Sequence, residues 1–298
     1  MSCLSDVILE SPDSTLVATV PEQQLLHKSL SVFAPQKKFS DWTSQDHAES
    51  YTFMQRIAKA WKDSGLTDQY LVYSKVDSNI FKWEMIPYQK CKNVFGRIVQ
   101  QLQVLWRTVF GGMIILAKNK QDQVGYYKAN LKKQETIIYP SYTQNAGQDA
   151  FCKQETIDRQ WVVIGEKVNV LFNYAPIGFG GEKLHFLITP KEHRKAFTDV
   201  TQEEYVESMQ LTNQLIMHFS ETRECVKNVY LMNKTGVDAG QTVDHWHLHV
   251  VFSTNTAQNF WGRITVFKNI LFGSSPMKKE ALKQKVEDLR NELASYKS

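Results

Sequence analysis

Three histidines, His245, His247 and His249, alternate with Trp246, Leu248 and Val250 and run on into Val251 and Phe252. Alternation with period two marks a strand, on which successive side chains leave opposite faces. The three imidazoles then share one face, and the apolar residues pack into a core on the other. Just ahead, Gly236 to Thr242 (GVDAGQT) reads as a loop of small and hydrogen-bonding residues. A row of neutral bases beside a glycine-bearing loop of backbone donors suits displacement at phosphorus. An unprotonated imidazole is a competent nucleophile near neutral pH, whereas a hydroxyl needs a separate base. Two other readings of the row are metal ligation and simple packing. With only 8 histidines in 298 residues, three at alternate positions argue against chance.

The elements that must position this row are legible nearby. Trp161 to Ile164, Val168 to Phe172, His185 to Ile188, Val229 to Asn233 and His245 to Phe252 have the β-branched and aromatic content of strands. Residues 202–219 interrupt them with a helix, whose Leu211, Leu215 and Phe219 recur at helical spacing behind capping residues. Strands, a helix and more strands give an α+β fold, an antiparallel sheet with helices packed on one face.

The run Asn233-x-x-Gly236-x-x-Ala239-Gly240-Gln241-Thr242-Val243-x-His245-x-His247-x-His249 resembles the signature of the histidine-triad (HIT) superfamily of nucleotide hydrolases and transferases. His185-Phe186-Leu187-Ile188-Thr189-Pro190-Lys191-Glu192-His193 is similar to the family's other recognisable stretch, and Phe151-Cys152-Lys153 to the way such domains begin. The likeness covers residues 151–255 as three segments in order. It implies that His247 is the nucleophile, forming a nucleotidyl-histidine at the α-phosphate of a nucleotide conjugate. It further implies that His249 contacts phosphate and leaving group, that His245 supports by hydrogen bonding, and that His185 stands behind them. Asn233, Gly240, Gln241 and Thr242 would donate to phosphate oxygens, stabilising charge that develops in the transition state. The far ring nitrogen of His247 would need a backbone carbonyl to fix its tautomer. The route uses no metal and no cofactor.

Several positions depart from the family pattern. Where many members carry an Asp for the ribose hydroxyls, this chain has Asn173, which remains a candidate nucleotide contact. The loop Ile177 to Glu182 is long and is either a lid or a hairpin. Zinc held by Cys152, Glu155, His193 and His245 is an alternative to a metal-free site. A full His-x-His-x-His is commoner in the family's hydrolases, while a two-domain chain points to its transferases and phosphorylases. Hydrolysis is slightly favoured; a phosphorylase or transferase of dinucleoside polyphosphates or nucleotide sugars, or a metal-dependent enzyme, is the alternative.

The chain also repeats itself. Residues 43–63 run like 201–221, with Glu49-Ser50 against Glu207-Ser208 and Trp61 against Phe219. Tyr70 to Lys75 matches Val229 to Lys234, Lys82 to Ile86 matches His245 to His249, and Gly96-Arg97-Ile98 matches Gly262-Arg263-Ile264. The expected organisation is two tandem HIT-like halves, a degenerate one at 1–140 and a catalytic one at 141–298, joined through a turn-rich linker at 139–147. In the first half Lys82, Glu84 and Ile86 stand at the histidine positions, so it lacks the nucleophile; Lys82 and Glu84 either line a wall of the pocket or are solvated. The likeness implies two halves packed pseudo-symmetrically, as in the galactose-1-phosphate uridylyltransferase branch. At the C-terminus Leu282, Val286, Leu289 and Leu293 form the stripe of an amphipathic helix packed on its own half.

Composition sets the frame. An apolar share of 42% with 22% charged residues is that of a globular chain. The formal net charge of +4 favours anionic small molecules but does not argue for nucleic acid, beyond a cap-like dinucleotide as substrate. Cys3, Cys91, Cys152 and Cys225 form no paired motif, which fits a reducing, cytoplasmic compartment. The start of the chain lacks signal-peptide character. The most apolar span, Val104 to Leu116, contains Arg107 and is too short to cross a bilayer, so it is expected to be buried, and no membrane partner is expected. A homodimer is compatible with this reading.

Overall fold

Thr43 and Thr201 begin two long helices by the same device. Each hydroxyl accepts the backbone N–H three residues on, and the acidic side chain there, Asp46 or Glu204, accepts the threonine N–H in return. These capping boxes satisfy donors that a helix start leaves unpaired. They open α1 (Ser44–Asp63) and the later α5 (Gln202–Thr222). In this computed structural model the described residues are 6–13, 15–91, 93–110, 115–116, 119–132, 149–178, 182–224, 226–254, 260–272 and 274–296.

Before α1 come β1 (Val7–Glu10), β2 (Val17–Thr19), β3 (Gln23–Gln24) and β4 (Leu30–Phe33), and after it β5 (Tyr70–Val76), β6 (Lys82–Pro87), α2 (Val94–Phe110), β7 (Ile115–Leu116) and α3 (Lys120–Leu131). The second half supplies α4 (Gln154–Gln160), β8 (Trp161–Ile164), β9 (Val168–Phe172) and β10 (His185–Pro190) before α5, then β11 (Val226–Thr235), β12 (Leu248–Thr254), α6 (Phe260–Phe272) and α7 (Lys279–Tyr296). The α+β expectation holds, and the expected strands and helices appear with ends moved by a few residues.

The two expected sheets are one. Ten strands run in the order β1-β2-β4-β6-β5-β11-β12-β10-β9-β8, five from each half, and the seam is the antiparallel pair β5–β11. Seven partners, from Val76 opposite Val229 to Tyr70 opposite Thr235, close that seam. Helices α1 and α5 lie side by side on one face, where Tyr51 donates to the Val200 carbonyl and Gln55 to that of Phe197. Between helices and sheet are Trp61, Trp83, Trp246, Tyr205, Phe186 and Phe219, all fully buried. Each such side chain contributes about 1.5–3 kcal/mol by leaving water. Leu282, Val286, Leu289 and Leu293 of α7 are buried as expected, against β8 and α4.

Three expectations change. The span from Val104 is not uniformly buried: residues 104–110 belong to α2, which lies on the opposite face of the sheet and turns Trp106 outward, and residues 111–114 lie outside the described residues. The ladders also shift the repeat alignment by two residues. Glu84 faces Tyr73 as His249 faces Met232, so the counterparts of the three histidines are Ile80, Lys82 and Glu84. Lys82 and Glu84 pair with each other at 2.7 Å, and no histidine stands among the three positions. Finally, His245 and His247 precede β12 rather than lying in it, although their alternation with buried Trp246 and Leu248 persists. The expected linker at 139–147 and the boundary at 140 lie outside the described residues.

Candidate active site

Strand parity decides what the site contains. Trp246, Leu248, Val250 and Phe252 enter the core shared with α5, which leaves His247 and His249 on the other face. On β11 the residues paired across from that face are Met232 and Tyr230, so Lys234 also belongs to it. Val229, Leu231 and Asn233 point the other way. Asn233 is therefore not brought to the histidines: it is buried on the helix side, and its side-chain oxygen has no hydrogen-bond partner among the described residues. Lys234 takes the place expected of it. Its Nζ lies 3.5 Å from where a β-carbon on Gly240 would stand, and no carboxylate pairs with it among the described residues. Burial holds its pKa below the usual lysine value.

The histidines form two clusters with defined proton positions. His247 Nδ1 lies 2.8 Å from the carbonyl of His245 and so carries the proton it donates there. Its Nε2 is left as a bare lone pair, as the sequence expectation required. Burial pushes the His247 pKa down to about 4, with neighbouring His245 and Lys234 adding to the effect against the backbone hydrogen bond. Alongside, the Ile177 N–H donates to His185 Nδ1 at 3.1 Å, which places the His185 proton on Nε2. That nitrogen donates to His249 Nδ1 at 2.9 Å, so the His249 proton sits on its own Nε2. Burial takes His185 down to about 3 and His249 well below the ordinary value. His247 and His249, with ring centroids 4.7 Å apart, thus present an acceptor and a donor side by side.

Asn173 supports this arrangement rather than standing open to ligand. Its amide nitrogen is 3.2 Å from His185 Nδ1, and its oxygen accepts the Ala175 N–H. Gln241 is similarly occupied: its amide donates to the carbonyls of Lys195 and Val243 and accepts the Gly236 N–H. It shapes the loop and has no side-chain donor to spare. Gly240, at φ +86°, makes a backbone turn that L side chains resist, and Thr242 is exposed, with no partner for its hydroxyl among the described residues. Phe151 stacks edge-on against His247 at 5.2 Å and packs on Leu171 and Leu187, forming the floor.

The first half grips the loop. Gln69 donates to Asp238 Oδ2 at 3.0 Å and accepts the Asp238 N–H at 2.6 Å, while Gln101 of α2 donates to the Asp238 carbonyl at 2.9 Å. These residues were invisible to motif reading, since their role exists only across the seam. On the other side, Arg194 donates three hydrogen bonds to Glu204, both residues buried, and its carbonyl accepts the Trp246 N–H. Removing either partner of such a pair costs about 3–5 kcal/mol.

His245 belongs to a separate cluster. Its Nε2 donates to the Pro190 carbonyl at 3.2 Å, which turns the Nδ1 lone pair toward Asp149, Cys152 and His193. The ligand atoms of these four residues lie within 4.8 Å of one another. Such a convergence of acceptors, with one imidazole fixed by a backbone carbonyl, suits a divalent cation with nitrogen, sulfur and oxygen ligands. Asp149, not the exposed Glu155, completes the set. The cluster is beside His247, and would hold the segment before β12 in place. Glu182, at the end of the long loop, is tied to Arg223 at 3.1 Å and to Lys285; residues 179–181 lie outside the described residues.

Against this geometry, the family model of the HIT domain matches residues 156–256. The chain carries a HIT domain. Its whole fold has relatives as well. A GalT-like protein from Arabidopsis thaliana is 12% identical, with a TM-score of 0.54 over 97% of this chain and 91% of that one. A uridylyltransferase is 11% identical, with a TM-score of 0.52 over 97% and 85%. An ADP-glucose phosphorylase from Arabidopsis thaliana, solved with bound ADP-glucose, is 13% identical, with a TM-score of 0.51 over 96% and 85%. At these identities the likeness is one of fold: the HIT domain sits in a tandem, GalT-like architecture. Among the described residues no helix is long and apolar enough to cross a membrane.

Proposed function

We propose that the chain is a nucleotidyl hydrolase or transferase working through a covalent nucleotidyl-His247. The observation that carries this reading is the opposed tautomers of adjacent imidazoles. His247 Nε2 offers a lone pair because its Nδ1–H is spent on the His245 carbonyl, and His249 offers an N–H because its Nδ1 accepts from His185. In the first step the His247 Nε2 lone pair forms a bond to the α-phosphorus, and the bond from phosphorus to the leaving oxygen breaks. His249 Nε2–H donates a hydrogen bond to that oxygen and stabilises the negative charge it gains as it leaves. In the second step an acceptor hydroxyl or phosphate attacks phosphorus from the opposite side and expels His247 as a neutral imidazole, and a hydroxylic acceptor loses its proton to solvent. Lys234 and Thr242 stabilise charge on the phosphate oxygens, which a water-poor site makes more effective; the Gly240 and Gln241 N–H groups are spent on the carbonyls of Val237 and Gly236 and shape the loop instead.

The intact His-x-His-x-His favours water as acceptor. Similarity over nearly the whole chain to a uridylyltransferase and to a phosphorylase favours transfer to a sugar phosphate or to phosphate. The deciding experiment gives wild type and His247→Ala dinucleoside polyphosphates, nucleotide sugars and nucleoside phosphoramidates, each with water or inorganic phosphate. Release of a nucleoside monophosphate identifies hydrolysis, and of a diphosphate without monophosphate phosphorolysis. Either must vanish in the variant and survive a chelator present during the assay. Equal turnover by His247→Ala would end the covalent reading.

A further inference from the structure

Rows of side chains cross the seam and carry the histidine face into the first half. On that face Met232 lies opposite His249 on one side and Tyr73 on the other, and Lys234 lies opposite Leu71. Tyr73 and Leu71 are two strands from β12, about 10 Å at the usual spacing of paired strands. Val104 of α2 covers them from above, and Tyr88 and Ala239 complete the same apolar cluster. Between helix and sheet is a cavity of about 690 Å³, counted out to its open mouth, with Lys234 and Gly240 on the side of the histidines. That is the size of a small-molecule site. The reaction proposed at His247 uses Lys234 and none of the other side chains that line it.

The lining says what the cavity takes. The Gln101 amide donates to the carbonyls of Val237 and Asp238 and the Thr108 hydroxyl to that of Val104, so these donors are spent on backbone. Lys234 and the hydroxyls of Tyr73 and Tyr88 are the polar side-chain groups left, and the rest of the lining is apolar. A hexose carries a hydroxyl on nearly every carbon, and burying hydroxyls without partners is unfavourable. A flat aromatic ring system makes the opposite demand: it fills an apolar slot, stacks on tyrosine and needs few polar partners at its edge. Lys234, between the histidines and the cavity, suits the phosphate that joins such a group to the attacked phosphorus. Its ammonium is close enough to His247 and His249 to depress both pKa values.

We infer that this cavity is a leaving-group subsite, built largely by the first half, that takes the base of a second nucleoside in preference to a hexose, with Tyr73 as the specificity-determining residue. The inference rests on the reaction proposed at His247 and narrows its substrate class. Diadenosine tetraphosphate and ADP-glucose would place the same adenylyl group on His247; one releases ATP and the other glucose 1-phosphate. Diuridine tetraphosphate and UDP-glucose form the matching uridine pair. Tyr73→Ala should lower kcat/KM for the dinucleotide at least about tenfold and leave that for the nucleotide sugar within about twofold. Tyr73→Phe, which keeps the ring, should restore most of the loss. Thr108→Trp fills the cavity from α2 with Tyr73 in place, and should reproduce the selective loss even where Tyr73→Ala fails to fold. Binding separates this inference from the reaction. In titration calorimetry of His247→Ala, the dinucleoside tetraphosphate should bind at least about tenfold tighter than the nucleoside tetraphosphate that lacks the second nucleoside, and adding Thr108→Trp should erase the difference. Equal turnover by wild type and His247→Ala would end the covalent route and leave this affinity difference standing. Equal losses on both substrates, no loss on either, or equal affinity for the two tetraphosphates with both bases would overturn the subsite.

Discussion

Replacing Gly236 by alanine tests whether the first half holds the 236–242 loop. Gly236 has φ +88°, and a β-carbon there would stand 2.5 Å from Gln69 Cγ and 2.9 Å from Cδ. Gln69 cannot simply yield, because its amide both donates to and accepts from Asp238. The left-handed backbone costs an L residue about 1–2 kcal/mol. Displacing Gln69 removes two hydrogen bonds worth about 1 kcal/mol each, so Gly236→Ala should destabilise by about 3–4 kcal/mol. Gln69→Ala alone should cost about 2 kcal/mol. In the double variant the collision is gone and only the backbone term adds, so the total should again be about 3–4 kcal/mol rather than the additive 5–6. Urea denaturation of the four proteins measures this, with the difference appearing in midpoint rather than slope. Additive costs would refute the clamp, and with it the claim that the first half steadies the 236–242 loop.

Lys234→Met should keep the fold and lower kcat/KM by about 100–1000-fold, the range for removing one charge-stabilising donor, while Asn233→Ala should leave KM nearly unchanged. Equal losses in steady-state assays would mean that strand parity has misled. Purified protein should carry one equivalent of a divalent metal by elemental analysis, and Cys152→Ser should lose it together with several degrees of melting temperature. Retention of metal by Cys152→Ser would remove the thiolate from the ligand set. His47 is packed between Phe39 and Trp42, and burial lowers its pKa to about 4 from 6.5, against the pull of Asp46. The unfolded chain takes up its proton first as pH falls, so stability is fully present above pH 6.5 and drains away down to about pH 4, by about 3 kcal/mol. The pH dependence of the urea midpoint in His47→Leu should be flatter than in wild type by that amount; identical profiles would contradict the assignment.

Local chemistry was legible in the chain because it is written in adjacent residues. The alternating histidines, the Thr43 and Thr201 caps, the buried stripe of α7 and the tandem order of helix and strands all follow from periodicity and side-chain type. The tautomer of His247 was foreseeable too, since its partner is a carbonyl two residues away. Parity on β11 was not. Val229, Leu231 and Asn233 form one row and Tyr230, Met232 and Lys234 the other, both largely apolar, so spacing does not say which row faces the histidines. Only the ladder with β12 puts Lys234 at the site and Asn233 in the core. The fused sheet, the Gln69 and Gln101 clamp and the joining of Asp149 to Cys152, His193 and His245 likewise depend on segments distant in sequence. Short-range pattern sets what each segment can do; which groups meet depends on strand register and on the seam between the halves, and tertiary packing alone supplies both.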